Sequence, residues 1–241
     1  MTEPVQHLQW DSSFFEKKVG RIHVPSALSL DGILKKACHE KYDLLYIFSG
    51  LEIADSVINS FDLLDVGGHV RFSKCLDVAS PVSTDCDTNI HPYETKELSP
   101  EIREIAYLSG HLSRFKIDPL LPFGSFKTLY ELWLANTLER YPMAAIYVYQ
   151  VNEKPAGLIS YEWGDGICSI GLLAVLPAFQ GQGFGAKLMK HVESLSAAEG
   201  MKSIQVKTQL SNESARSLYG KKLGYDEIER SFLYHAHRLA S

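Results

Sequence analysis

The stretch that most limits what this chain can become runs from Gly171 to Gly185. There the apolar run Gly171-Leu172-Leu173-Ala174-Val175-Leu176 passes through Pro177 into glycines at 181, 183 and 185. A short unbroken apolar run reads as a buried strand, and clustered glycines read as a tight loop. From Ala186 to Glu199, Leu188, Met189, Val192 and Leu195 recur at helical spacing, and Gly200 supplies the stop. The unit is therefore strand, loop, helix. Backbone N–H groups in the first turn of a helix lack intrahelical partners and carry partial positive charge. Glycines let an anion approach them closely, so the loop predicts a cradle for a pyrophosphate-bearing ligand.

Two kinds of pyrophosphate loop share this spacing. Gly181-x-Gly183-x-x-Ala186 fits the dinucleotide fingerprint, whereas Gln180-x-x-Gly183-x-Gly185 fits the coenzyme A loop of acetyltransferases. A dinucleotide domain needs an acidic residue about 20 positions further on and several more parallel strands. The next strand, Ile204 to Leu210, offers Gln205, Lys207 and Gln209 instead, and the chain beyond Leu210 has room for a hairpin only. Downstream, Asn212-Glu213-Ser214-Ala215-Arg216-Ser217-Leu218-Tyr219 has the form Asn-x-x-Ala-x-x-x-Tyr and leads into Leu223-Gly224-Tyr225. With the loop before it, this segment resembles the GCN5-related N-acetyltransferase (GNAT) superfamily. The resemblance implies acetyl-CoA as cosubstrate, its pantetheine arm paired with the strand before the loop and its pyrophosphate in the loop.

Composition bounds the alternatives. The chain has 241 residues, 45% hydrophobic and 22% charged, as in an ordinary globular protein of one large or two small domains. A net charge of −5, from 24 basic and 29 acidic residues without a basic run, argues against nucleic acid or an anionic membrane as partner. The start Met1-Thr2-Glu3-Pro4 has neither a positive patch nor an apolar h-region, so a cytoplasmic protein is expected. Cys38, Cys75, Cys86 and Cys168 show no CxxC spacing; neither disulfides nor a metal site are expected.

Two units are expected. Residues 1–85 read as a small α/β domain, with strands at Val19–Val24 and Leu44–Phe48, helices at Asp31–Glu40 and Leu51–Phe61, a turn at Gly67-Gly68 and a strand over Val70–Val78. The aromatic opening Trp10-Asp11-Ser12-Ser13-Phe14-Phe15 reads as a hydrophobic plug for that sheet. Ser80–Asn89 reads as a linker. Residues 86–241 then give a strand at Ile90–Lys96, a helix opened by Ser99-Pro100-Glu101, and a loop over His111–Gly124. A helix over Ser125–Leu138 comes next, with Phe126, Leu129, Trp133 and Leu134 toward a core. Three antiparallel strands, the glycine-loop helix, the strand Ile204–Leu210 and a last strand pair, Tyr225–Arg230 with Phe232–His237, complete it. This order is that of the GNAT fold, a mixed sheet of the α/β (α+β) class, here preceded by the smaller α/β unit.

A narrower resemblance extends over nearly the whole chain. Trp-Asp-x-x-Phe-Phe at 10–15, Ser113-Arg114-Phe115 with a proline-containing loop behind it, Ile170-Gly171-Leu172-Leu173-Ala174, and Thr208-Gln209 before Asn212 are similar to the TDP-fucosamine acetyltransferase group. That group acetylates the 4-amino group of a TDP-linked 4-amino-4,6-dideoxyhexose for bacterial surface polysaccharides. The resemblance implies a nucleotide-sugar acceptor, with the first unit contributing to its site. A homodimer stays open.

Such a reaction makes four demands. The coenzyme cradle is assigned to Gln180, Gly181, Gln182, Gly183, Phe184, Gly185 and Ala186, with backbone groups of Leu173, Ala174 and Val175 along pantetheine. An N–H near Leu173 or Ala174 is the candidate donor to the thioester oxygen. A phenol can protonate the departing thiolate, and Tyr219 has the matching position, with Asn212 capping its helix and touching the coenzyme. A base must take the ammonium proton; Cys168, Ser169 and Ile170 offer no carboxylate, which leaves Glu162, His111, Asp65 and His69 as candidates. Arg114, flanked by Ser113 and Phe115, suits a substrate diphosphate because its planar fork binds phosphate through two hydrogen bonds. An acetyltransferase for a protein N-terminus or other small amine, and a non-catalytic coenzyme A-binding module, are the alternatives.

Overall fold

The computed structural model describes residues 5–24, 34, 42–77 and 87–237. It begins with β1 (Gln6–His7), α1 (Gln9–Phe15), β2 (Val19–Val24), β3 (Leu44–Ser49), α2 (Asp55–Ser60) and β4 (Leu63–Cys75). Then come β5 (Ile90–Pro92), α3 (Pro100–Ser109), α4 (Arg114–Ile117) and α5 (Ser125–Glu139). The meander β6 (Ala144–Val151), β7 (Lys154–Gly164), β8 (Ile167–Val175) leads through a 3₁₀ turn to α6 (Phe184–Ala198) and β9 (Ser203–Gln209). The short α7 (Glu213–Arg216) runs into a π-helical turn, Ser217–Lys222, and β10 (Asp226–His237) ends the described chain.

All ten strands join one sheet in the order β1-β2-β3-β10-β4-β9-β8-β7-β6-β5. The β2–β3 and β8–β9 pairs are parallel and the rest antiparallel, the mixed α/β architecture expected from the sequence. Because β10 inserts between β3 and β4, and β4 pairs with β9, strands from both ends of the chain share one hydrogen-bonded ladder.

Local chemistry explains the elements around the site. Ser99 caps α3 by accepting from the Ile102 N–H at 3.3 Å, Pro100 takes the first turn, and Ile102, Ile105 and Ala106 form its buried face. Two-residue turns with positive φ, Asn152-Glu153 and Asp165-Gly166, set the register of the meander. On one face of the sheet α6 packs Ala186, Leu188, Met189 and Val192 against Val70, Phe72, Ile170, Ile204 and Val206. On the other, α3 and α5 pack Ile102, Ile105, Leu129 and Leu134 against Ile146, Val148, Leu158 and Leu172.

Some expected boundaries shift. Tyr225–Arg230 and Phe232–His237 are not a strand pair: Ser231 lies within one continuous strand, β10, whose register shifts let it follow β4 on one side while pairing with β3 on the other. Gly67-Gly68 is not a turn either; Val66 and Gly67 together oppose Leu233, a bulge of one extra residue in β4 within the ladder. The expected 111–124 loop contains α4, capped by Ser113. The strand from Ile90 stops at Pro92, where the ladder loses a donor, and the helical part of Leu51–Phe61 is Asp55–Ser60. The aromatic opening is α1, with Phe15 buried and Trp10 stacked on Phe14 at the surface. The expected helix at 31–40, apart from Leu34, and most of the expected linker lie outside the described residues.

Candidate active site

The site begins where two parallel strands part. β8 and β9 pair only from Ile167–Ser203 to Ile170–Val206, yet β8 continues to Val175 and β9 to Gln209. A bulge starts the divergence: Ile159 faces Leu173 and Tyr161 faces Ile170, so Ser160 alone opposes Gly171 and Leu172. Ser160 fills the gap by accepting the Leu172 N–H at 2.9 Å. A side chain at Gly171 would lie 2.8 Å from Ser160 Oγ and 3.1 Å from Trp133 Nε1, so only glycine fits without displacement. Leu172 and Leu176 both donate toward β7. Strand N–H directions alternate, so those of Leu173 and Val175 turn away from β7 into the opening, and that of Ala174 does not.

Beyond the opening lies the glycine loop. Gly183, at φ +83°, is the N-cap of α6, whose first N–H groups face a cavity of about 600 Å³. Leu173, Ala174, Val175, Gln180, Gly181, Gly183, Phe184, Gly185 and Ala186 all line it; Gln182 does not. Gln180 braces the loop by donating from Nε2 to the Val175 carbonyl at 3.0 Å. Asn212 lines the cavity and caps α7, its Oδ1 accepting from Ala215 N–H at 3.1 Å. The capping role follows from chemistry visible in the sequence.

Tyr219 sits in the π-helical turn, a departure from regular helix that is frequent at functional sites. It is buried beside Phe72 and Tyr225, and burial pushes its phenol above the ordinary value near 10, so it carries its proton at neutral pH. Tyr219 also lines a second cavity of about 580 Å³, as do Ser109, Leu173, Asn212 and Ala215. The two cavities thus meet at Tyr219 and at the strand whose N–H groups turn outward.

The second cavity is cationic and aromatic. Arg114 stacks its guanidinium over Tyr46 at 4.1 Å, Phe115 at 4.6 Å and Phe48 at 5.4 Å. No carboxylate among the described residues forms an ion pair with it, so the surface salt bridge that a loop arginine usually makes is absent there. Lys207 and Arg21 line the same cavity, also without an ion-paired carboxylate among the described residues. Burial first, then neighbouring Arg71, lowers the Lys207 pKa. Ser113 and Phe115 line the cavity too. The turn bearing Arg114 is anchored from beneath by Asp118, whose Oδ2 accepts from His235 Nδ1 at 2.5 Å and His237 Nε2 at 2.7 Å and whose Oδ1 accepts from Leu120 N–H. Asp118 and His235 are fully buried. Opposed by burial, these hydrogen bonds pull the Asp118 carboxyl well below the usual carboxylate range.

The candidate bases separate. Asp65 is exposed, accepts from Gly67 N–H at 2.7 Å and lines neither cavity. His111 lines the coenzyme-loop cavity. Glu162 lines the second cavity but is held by Arg140 at 2.5 Å. His69 lines the second cavity, half-buried. Trp133, expected in the core, is instead 41% exposed and walls this cavity over Gly171. Sequence alone does not single out Lys207, Arg21 or Ser160 as site residues. The signal for Lys207 is a polar stripe, Gln205-x-Lys207-x-Gln209, on a strand too central to have a solvated face otherwise.

Comparison with known proteins agrees with this geometry. Residues 114–225 match the Acetyltransferase (GNAT) family. The chain is 24% identical over 239 residues to the spore coat polysaccharide biosynthesis protein SpsD of Bacillus subtilis, covering 94% of this chain and 80% of that one. Among solved structures it is similar to a conserved protein of unknown function from Staphylococcus epidermidis, with TM-score 0.61, 14% identity, and 99% and 93% of the two chains covered. It is also similar to a putative GNAT acetyltransferase from Novosphingobium aromaticivorans, with TM-score 0.54, 14% identity, and 100% and 91% covered. None of the described helices is long and apolar enough to cross a membrane. The parted strands, the glycine loop and the family match together identify residues 114–225 as an acetyltransferase domain of the GNAT family, and the chain that carries it as an acyltransferase.

Proposed function

We propose that this protein transfers the acetyl group of acetyl-CoA to the amine of a nucleotide-linked amino sugar, a dTDP-4-amino-4,6-dideoxyhexose by the narrower resemblance, for surface polysaccharide synthesis. One observation carries the acceptor assignment: Arg21, Arg114 and Lys207, none ion-paired to a described carboxylate, line the cavity that meets the coenzyme cavity at Tyr219. Cations without a carboxylate partner in one cavity favour an anionic ligand, and a sugar diphosphate supplies two charges beside the reacting amine. The similarity to a polysaccharide biosynthesis protein supports the same class. Residues 1–85 then supply the acceptor side, through Arg21, Phe48 and His69, and residues 86–241 hold the coenzyme.

The roles follow from position. The loop from Gln180 to Ala186 holds the coenzyme pyrophosphate by backbone N–H groups, and Val175 pairs with pantetheine. The Leu173 N–H, turned into the opening, donates to the thioester oxygen as charge develops there. The amine attacks the thioester carbon, the C–S bond breaks with its electron pair on sulfur, and Tyr219 protonates the thiolate. Arg114 fixes the acceptor diphosphate, with Ser113 and Phe115 holding its turn.

Thiol release from acetyl-CoA should be measured with dTDP- and UDP-linked amino sugars, the corresponding free amino sugars, and peptides with free N-termini. The expected result is turnover of a nucleotide amino sugar at a kcat/KM at least tenfold above that of the free sugar. Turnover of peptides alone would assign a protein acceptor. Coenzyme binding with no thiol release from any amine would assign a non-catalytic module.

A further inference from the structure

The acceptor amine is an alkylammonium in water and cannot attack until it loses a proton. Sheet register places the candidate side chains relative to the Leu173 N–H. Ile170 and Val206 are the last paired residues of β8 and β9; the bulge at Gly171-Leu172 makes Leu173 two strand steps on and Gln209 three, so the two lie within about one residue's rise of each other along the opening. Gln209 pairs with His69 on β4. His69 therefore stands within about one residue of the level of the Leu173 N–H, two strands away, and more than roughly 10 Å across because β8 and β9 part between them. Glu162 pairs with Ser169, and Ile159, three positions before it on β7, pairs with Leu173, which puts Glu162 roughly 10 Å down the strand. On β4 the side chains of Val70 and Phe72 enter the core under α6, so the alternating His69 and Arg71 project to the opposite face.

We propose that His69 is the base that accepts the proton of the acceptor ammonium, and that an anionic acceptor activates it. The first clause concerns any amine that this site takes; the second rests on the nucleotide-sugar reading above. The imidazole touches Phe48 edge-on at 5.8 Å, and neither ring nitrogen is hydrogen-bonded to a described residue. It is faced by Lys207 of β9, Arg114 of α4 and Arg71 of β4, the last ion-paired at 2.9 Å with Glu229 of β10. From β2, Arg21 lines the cavity, and His23 stacks on the same Phe48 ring. Burial and then the three cations push the His69 pKa down to about 3, so the imidazole is neutral and has a free lone pair. A diphosphate on Arg114 and Lys207 cancels the repulsion that opposes imidazolium formation.

Protons and electrons balance. The ammonium gives one proton to a His69 ring nitrogen, and the freed lone pair forms the C–N bond. The C–S bond breaks onto sulfur, which takes the Tyr219 proton. The second proton lost from nitrogen as the amide forms returns through water to the Tyr219 oxygen. His69 releases its proton to solvent, so the net products are amide, thiol and one proton.

The test compares the parent with His69→Gln, which keeps polarity and approximate size, and with His69→Ala, on whichever amine the parent accepts. In His69→Gln, kcat should fall at least 100-fold and lose the acidic limb of its pH profile, with acetyl-CoA affinity by calorimetry unchanged. Added imidazole should restore turnover to His69→Ala. A His69→Gln kcat within threefold of the parent, with the same pH profile, overturns the base assignment. Activation is tested without an acceptor, by following the His69 ring through a pH titration by NMR with and without inorganic pyrophosphate. Its midpoint should rise with pyrophosphate, and a midpoint that stays put overturns the activation. If the parent accepts only amines without a phosphate, the nucleotide-sugar reading fails while the His69→Gln comparison still decides the base.

Discussion

Arg114→Ala separates acceptor binding from coenzyme binding, and the surroundings of Arg114 set the size of both effects. The guanidinium rests on three aromatic faces and has no ion-paired carboxylate among the described residues, so its removal leaves no buried anion behind. Cation–π contacts contribute about 0.5–1 kcal/mol each at partly exposed sites, so loss of the two nearer faces, Tyr46 and Phe115, costs the protein roughly 1–2 kcal/mol. In a chain of this size that lowers Tm by about 2–8 °C. A hydrogen-bonded guanidinium–phosphate contact contributes about 1.5–3 kcal/mol, so kcat/KM for the nucleotide sugar should fall roughly 10- to 150-fold. Arg114→Lys keeps the charge but not the planar fork, and should fall between parent and Arg114→Ala. Steady-state thiol release with each substrate varied in turn gives both KM values. The KM for acetyl-CoA should stay within twofold. Equal increases in the two KM values, or an unchanged kcat/KM for the nucleotide sugar, would refute the reasoning and make Arg114 a packing residue.

Two further outcomes rest on the same geometry. Gly183 caps α6 at φ +83°, so Gly183→Val both strains the backbone and places a β-branched side chain beside the first N–H groups; calorimetry should show acetyl-CoA affinity reduced at least tenfold in a folded protein, and unchanged affinity would remove the loop from the coenzyme site. Burial holds His235 below its ordinary 6.5, at about 4, so it is neutral in the fold and takes up a proton more readily once unfolded. The stability it contributes is complete above about pH 6.5 and is lost as pH falls toward 4. Urea unfolding at pH 7.5 and 4.5 should show a smaller loss for His235→Asn than for the parent, and equal losses would contradict that role.

The coenzyme side of this site was legible in the sequence because it is made of consecutive residues under backbone constraints. Glycines at 181, 183 and 185 open a helix, Asn212 caps the next, and Tyr219 comes seven positions later; each signal is local. The acceptor side is assembled from β2, β3, β4, α4, α5, β7, β8 and β9, which no local pattern joins. Trp133 looked like a core residue because its spacing matches the buried positions of α5; only the bulge at Gly171, which reverses the facing of β8, opens a cavity under it. Ser231 looked like a break between strands because its continuity depends on a non-local partner: it pairs in register with His69 of β4, and β10 runs through it. Sequence nonetheless holds a clue to the acceptor side. In a central strand buried on both faces, apolar residues should run without interruption; β9 alternates Ile204, Val206 and Thr208 with Gln205, Lys207 and Gln209, and Lys207 and Gln209 of that second row line the cavity.

Tyr219→Phe isolates the chemistry at a single atom, because the ring, its packing on Phe72 and Tyr225 and the π-helical turn are kept while the hydroxyl at the meeting point of the two cavities is removed. That hydroxyl makes no hydrogen bond to a described residue, so stability should change little. If it protonates the coenzyme thiolate, kcat should fall about 10²- to 10⁴-fold, roughly 3–5 kcal/mol at the transition state, with acetyl-CoA affinity retained. A folded Tyr219→Phe protein that binds acetyl-CoA and turns over within a few-fold of the parent would contradict acyl transfer at this junction.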